Sequence, residues 1–133
     1  LALHSVVEQL ASKGYVNAFQ RTQNDTLDKI YEYIFQNFDQ SISLEEIAGL
    51  ANMNPSAFSR YFKRINQKTF SRYVNEIRIG FACRQLMEQK DNVSTICYES
   101  GFNNLSNFNR QFRLIKGISP SEYRKQYQSQ DQS

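Results

Sequence analysis

Two short stretches carry side chains suited to reading a nucleic acid. In residues 55–65, any helix that turns Phe58, Phe62 and Ile65 inward leaves Ser56, Ser59, Arg60 and Lys63 pointing away from the core. In residues 104–115, Ser106, Asn109, Arg110 and Arg113 stand opposite Phe108, Phe112 and Ile115 in the same way. Small polar side chains permit close approach to a major groove. Arg can bridge guanine O6 and N7 there, and Asn can pair with adenine. Lys63, Arg64, Arg113 and Lys116 lie further along each helix, where backbone phosphates are the better partners. Asn54, and Asn103 or Asn104, cap the two helices, and the amide ends they frame also suit phosphate.

These two faces must be held by matching elements, and the sequence repeats itself accordingly. Phe58-Ser-Arg-Tyr-Phe-Lys-Arg-Ile65 recurs fifty positions on as Phe108-Asn-Arg-Gln-Phe-Arg-Leu-Ile115, and Ser71 and Tyr73 meet Ser121 and Tyr123 at the same offset. Upstream the offset is forty-nine: Leu44, Ile47, Ala48 and Met53 meet Val93, Ile96, Cys97 and Phe102. The second copy has one more residue in its turn. Each copy predicts a short helix, a tight turn and a longer helix bearing exposed cations, which is a duplicated helix-turn-helix.

The remaining elements follow from periodicity and punctuation. Leu3, Val6, Val7 and Leu10 predict an amphipathic helix over 2–13, followed by a polar connection over 14–24. Asp25 or Thr26 can cap a helix reaching Phe38, with Leu27, Ile30, Ile34 and Phe38 as its stripe and Tyr31 and Phe35 beside them. Ser43-Leu-Glu-Glu46 predicts a capping box in which the Ser hydroxyl takes the amide three residues on and Glu46 reaches back to the cap amide. Leu44, Ile47, Ala48 and Ala51 then face inward. Asn52 and Gly101 occupy equivalent turns, where a left-handed residue is needed. Met53 and Phe102 plug those turns into the core. Thr69 or Phe70 starts a long helix to about Glu88, with contacts from Phe70, Tyr73, Val74, Ile77, Phe81, Cys83 and Leu86. At about 1.5 Å per residue it spans roughly 28 Å. B-DNA returns the same groove to one side about every 34 Å, so such a rod can hold two readers over successive major-groove segments. Ser119-Pro-Ser-Glu122 predicts another capping box and a last helix to about Tyr127, with residues 128–133 a disordered polar tail.

Composition narrows the alternatives. No run alternates with period two for long enough to suggest a sheet, so the chain reads as all-α. The net charge is only +3, but it is unevenly placed. Residues 25–50 hold six acids and one base, residues 55–90 eight bases and two acids, and residues 101–127 five bases and one acid. The positive charge therefore gathers on and after the two exposed faces. Cys83 and Cys97 sit among apolar neighbours, and the single His, His4, gives them no metal-site partner, so both read as reduced core residues. No metal or cofactor is implied. No Ser/His/Asp set or phosphate-cradling Gly loop points to an enzyme. Aromatics at core spacing argue against single-stranded RNA. Neither a signal peptide nor a long apolar run indicates secretion or a membrane span.

The second copy, Val93-Ser-Thr-Ile-Cys-Tyr-Glu-Ser-Gly-Phe-Asn-Asn-Leu-Ser-Asn-Phe-Asn-Arg-Gln-Phe-Arg113, followed by Lys116-Gly-Ile-Ser-Pro-Ser-Glu-Tyr-Arg124, strongly resembles the signature of AraC/XylS-type transcription regulators. Ser43-Leu-Glu-Glu-Ile-Ala48 and Pro55-Ser-Ala-Phe-Ser-Arg-Tyr-Phe-Lys63 are similar to the first helix-turn-helix of that family. The resemblance covers residues 25–127. It implies two helix-turn-helix subdomains (about 43–66 and 93–116) joined by a helix (about 69–88). By that correspondence Ser56, Ser59, Arg60, Ser106, Asn109 and Arg110 face bases, and Leu105 meets a thymine methyl. It also implies a cytoplasmic regulator of activator type that contacts RNA polymerase. Many members carry an N-terminal ligand-sensing barrel. Residues 1–24 resemble only the trailing helix and linker of such a domain, and dimerisation would run through that missing part. The chain, opening on Leu1, reads as a fragment of something longer. One departure is Gln67, where the family commonly has the Gly found here as Gly117, which leaves the tightness of the first helix's exit open.

The competing reading is a helical interaction module whose basic faces meet an acidic protein. Sequence-specific binding of double-stranded DNA is the expectation carried forward.

Overall fold

The structure is a computed structural model that describes the backbone of residues 18–88 and 90–131 and the side chains of residues 25–88 and 90–128. The expected helix over 2–13 lies outside the described residues. Seven helices and no strand make up the described chain: α1 (Ala18–Asn37), α2 (Leu44–Leu50), α3 (Pro55–Asn66), α4 (Phe70–Glu88), α5 (Val93–Glu99), α6 (Leu105–Lys116) and α7 (Pro120–Asp131).

Helix α1 starts earlier than its sequence suggests. Asp25 and Thr26 do not cap it; they lie within it, and residues 18–24 are helical rather than a polar connection. Nothing from Ala18 onward breaks a helix, since neither Gly nor Pro intervenes, and polar residues inside a helix each cost well under about 1 kcal/mol. Ile30, Tyr31 and Ile34 are buried as the stripe requires. Phe35, one position round from Ile34, is 46% exposed. Phe38 lies just past the helix and packs its ring on Phe81 of α4, centroids 5.4 Å apart.

The caps decide where the later helices begin. Asn54, Asn92 and Asn104 each accept the amide three residues on, at 2.8 Å. Ser43 Oγ accepts the Glu46 amide at 2.9 Å, but the Glu46 carboxylate is taken by the Tyr33 hydroxyl at 2.7 Å, so α2 is tied sideways to α1. The box at α7 is reciprocal: Ser119 Oγ accepts from the Glu122 amide at 3.1 Å, and the Ser119 amide donates to Glu122 Oε1 at 3.3 Å. Helix α7 runs on to Asp131, beyond Tyr127, so the expected disordered tail is helical at least that far.

Two separate cores result. The first joins Ile30, Tyr31 and Ile34 of α1, Ile47 and Ala48 of α2, Phe58, Tyr61 and Phe62 of α3, and Val74 of α4. Phe62 meets Phe70 and Tyr73 edge to face, with centroids 5.5 and 5.2 Å apart. Burial pushes the Tyr73 phenol up to about 12. The second core joins Ile79, Ala82, Cys83 and Leu86 of α4, Ile96 and Cys97 of α5, then Phe102, Phe108 and Phe112. Neither cysteine forms a disulfide, and burial raises both thiols above the usual range.

Helix α4 therefore serves twice. Val74 fills the first core, while the half beginning at Ile79 fills the second. At the forty-nine-residue offset Ile30 and Ile34 of α1 meet Ile79 and Cys83, so α4 closes the first unit and opens the next. Ile79 and Ala82 are fully buried although a single-stripe reading misses them, because the two halves of α4 are packed on different sides.

Candidate nucleic-acid interface

Helix α3 buries Phe58 and Phe62 completely and Tyr61 nearly so, with Ile65 against the same core. That anchoring turns Ser56, Arg60, Lys63 and Arg64 to solvent. Ser59 is half-buried. It shares with Arg60 and Lys63 a shallow cleft of about 360 Å³, flanked by Ile42, Leu44 and Phe70. Helix α6 repeats the arrangement. Phe108 and Phe112 are fully buried, and Ser106, Asn109, Arg110, Arg113 and Lys116 are exposed. Leu105, at the first turn, keeps 37% of its surface in solvent.

The turns that aim these helices are equivalent in backbone and different in residue. Asn52 sits at φ 54° and Gly101 at φ 103°. The next amide folds back in both: Met53 N–H to Ala48 O at 3.0 Å, and Phe102 N–H to Cys97 O at 3.2 Å. Phe102 is buried, and Met53 packs against the first core. The exits match as well. Gln67 takes φ 61° where Gly117 takes φ 83°, and each donates its amide to the carbonyl four residues back at 2.8 Å. The first helix's exit is therefore as tight as the second's. Gln67 Nε2 donates to Arg64 O at 2.9 Å, which offsets part of the left-handed strain.

The cations fall into distinct groups. Arg60, Lys63 and Lys116 make no ion pair among the described residues. Arg110 Nη2 donates to Asn107 Oδ1 at 2.8 Å, which steadies the guanidinium on its own helix. Asn107 is not among the residues singled out in the sequence, although its i, i+3 spacing from Arg110 places it within reach of that guanidinium. Arg64 lies over the Tyr61 ring, 5.9 Å from its centroid. Arg113 reaches Glu122 at 3.4 Å, a largely exposed pair that holds it only loosely. Asn54 and Asn104 both spend Oδ1 on their caps, so a phosphate at either end would meet backbone amides and the remaining side-chain NH2. Asn103 is exposed beside the second of them and does not cap it. Lys68, just before α4, and Arg72, in its first turn, both bind Glu76, at 2.6 and 3.1 Å, and hold the first unit's exit. Arg84 is exposed.

Two parallel helix-turn-helix units on a shared helix, each presenting a small-polar and Arg face, define a DNA-binding class. A helix-turn-helix domain family matches residues 47–126. The chain belongs to that family, the AraC-type DNA-binding domains of transcription regulators. It is 33% identical over 109 residues to the transcriptional activator RhrA of Rhizobium meliloti, covering 80% of this chain and 34% of that protein. Its fold is similar to an AraC-type transcriptional regulator from Chromobacterium violaceum, with TM-score 0.70, 22% identity, and 80% of this chain and 96% of the other covered. It is also similar to the DNA-binding domain of the global transcriptional factor AdpA, solved with a target DNA, with TM-score 0.73, 22% identity, and 78% and 94% covered. The chain spans 40% or less of the length of several other regulators it matches. No helix among the described residues is long and apolar enough to cross a membrane.

Proposed function

We propose that this chain reads a specific double-stranded DNA site by inserting α3 and α6 into two successive major-groove segments, as the reading part of a cytoplasmic transcription activator. Ser56, Ser59, Arg60, Leu105, Ser106, Asn109 and Arg110 meet base edges. Asn54, Lys63, Arg64, Asn103, Asn104, Arg113 and Lys116 meet the phosphate backbone. RNA polymerase is the partner of the bound regulator, and dimerisation belongs to parts of the full-length protein outside residues 25–127.

One observation carries this reading. Helices α3 and α6 each bury two phenylalanines completely and leave an Arg and small polar residues in solvent on the other side. Solvent exposure alone accounts for a polar face on one amphipathic helix, but not for the recurrence of the same composition at the same register in both units. Membership of the family and the likeness to RhrA, itself an activator, support the assignment.

Selection of bound sequences from a random duplex pool tests the proposal directly, because a basic surface alone binds every duplex with similar salt dependence. The expected result is a defined site. On that site, Arg110→Ala weakens binding by about 1–3 kcal/mol and relaxes preference at one base position. Lys63→Ala weakens binding to all sequences alike and lowers the salt slope. Equal loss on cognate and scrambled duplexes for Arg110→Ala would defeat the assignment.

A further inference from the structure

Apart from α4, which packs into both cores, the two units have little to hold them at a fixed angle. The extensive helix contacts either fall within one unit or involve α4, which both units share. One cluster crosses between them. Arg78 lies on α4 between Val74 of the first core and Ile79 of the second. Its Nε donates to Phe38 O at 2.7 Å and its Nη2 to Gln40 O at 2.9 Å, both carbonyls just beyond the end of α1. The same guanidinium lies 5.7 Å from the centre of the Phe102 ring, the plug of the second turn. Asp39 stands near enough to favour its charge against the burial that opposes it.

Gly101 completes the cluster. A Cβ there would sit 2.3 Å from Phe38 O, 2.9 Å from Arg78 Nε and 3.0 Å from the Asp39 Cα. The turn of the second unit is thus pressed directly on the backbone exit of α1. Arg78 satisfies carbonyls on one side and covers an aromatic ring on the other.

We propose that Arg78, seated against Gly101, is the positioning residue that fixes the angle between α3 and α6 and so sets the spacing of the two DNA segments the protein accepts. Arg78 touches no DNA in this arrangement; it acts through the two readers. The inference rests on the two-segment reading above. Loss of the fork removes the polar tie at the α1 exit and leaves the Gly101 contact and the Phe38 ring on Phe81 as the supplements to α4. A looser pair still binds each segment but tolerates altered spacing between them.

The test uses the 133-residue chain and the duplex obtained by selection. Binding is compared on that duplex, on duplexes with one base pair added or removed between segments, and on a duplex keeping only the second segment. The wild type is expected to prefer the selected spacing at least tenfold. Arg78→Ala should cut that preference fivefold or more while changing single-segment affinity less than twofold. Arg78→Lys keeps the charge but cannot span both carbonyls with a planar fork, and should fall between. If Arg78→Ala does not fold, judged by lost helical circular dichroism, Arg78→Lys decides by the same comparison. A two-segment site whose spacing the folded variants read as the wild type does overturns this inference alone. So does equal loss on single-segment and two-segment duplexes. A wild type that selects no two-segment site overturns the DNA reading and this inference together.

Discussion

The two helix-turn-helix units reach the same backbone by different means. At the turn, Asn52 is exposed at φ 54°, while Gly101 at φ 103° is pressed against the end of α1. At the exit, Gln67 and Gly117 both adopt left-handed φ, and a Cβ at Gly117 would meet nothing within 4 Å. Three of these four positions need only a tolerable left-handed residue. Gly101 needs the absence of a side chain, because its neighbour is backbone and cannot move aside. Equivalent positions in a duplication can therefore look alike in conformation and differ in what they permit.

Substitution can break that comparison, and the largest effect is expected at Gly101. Gly101→Ala combines left-handed strain with a backbone clash and should destabilise the fold by about 2–4 kcal/mol in urea unfolding. Asn52→Gly, at the equivalent turn, should be neutral or stabilising within about 1 kcal/mol. Equal effects at the two turns would show that the α1 contact is unimportant.

The exits should give a smaller, mirror-image pair. Gln67→Gly relieves strain but forfeits the Nε2 bond to Arg64 O, so a gain below about 1 kcal/mol is expected. Gly117→Ala, in open space, should lose about 1 kcal/mol. Comparable urea midpoints for Gly101→Ala and Gly117→Ala would remove the distinction drawn here.

The smallest effect concerns charge. Burial alone would raise the Glu76 carboxyl, but Lys68 and Arg72 outweigh it and hold the group below the usual carboxylate range. A carboxyl depressed by folding stabilises the native state above its unfolded pKa and loses that contribution as pH falls through the folded one. Stability should therefore fall on acidification below about pH 4.5 in part through Glu76, and Glu76→Gln should flatten that slope. The second unit has no counterpart: Lys68 corresponds to Ile118 and Glu76 to Gln126 at the fifty-residue offset. A variant with the wild-type acid slope would argue against the role given to this triad.

Much of this architecture was legible because its signals are local. Caps at Asn54 and Ser119, the left-handed turns and the phenylalanine spacing each lie within a few residues of what they specify. The exposed faces of α3 and α6 followed from those phenylalanines, since burying one side of a helix fixes the other. What was not legible depends on partners far away in sequence. The start of α1 carries no breaker to mark it. Glu46 looked local but was claimed by Tyr33 of another helix. Ile79 and Ala82 fall off any one stripe because α4 is packed on two sides. The role of Arg78 is not marked by its neighbours in sequence, because its carbonyl partners lie thirty-eight and forty positions away.

Helix α4 has a practical consequence for anyone dividing this protein. A cut between Phe70 and Val74 strips the first core of its α4 residues and one between Ile79 and Glu88 strips the second, while a cut between Val74 and Ile79 spares both cores but divides the helix that joins them. Overlapping fragments that each carry the whole of α4 keep both cores complete, and together they would hold eight helices where the intact described chain has seven.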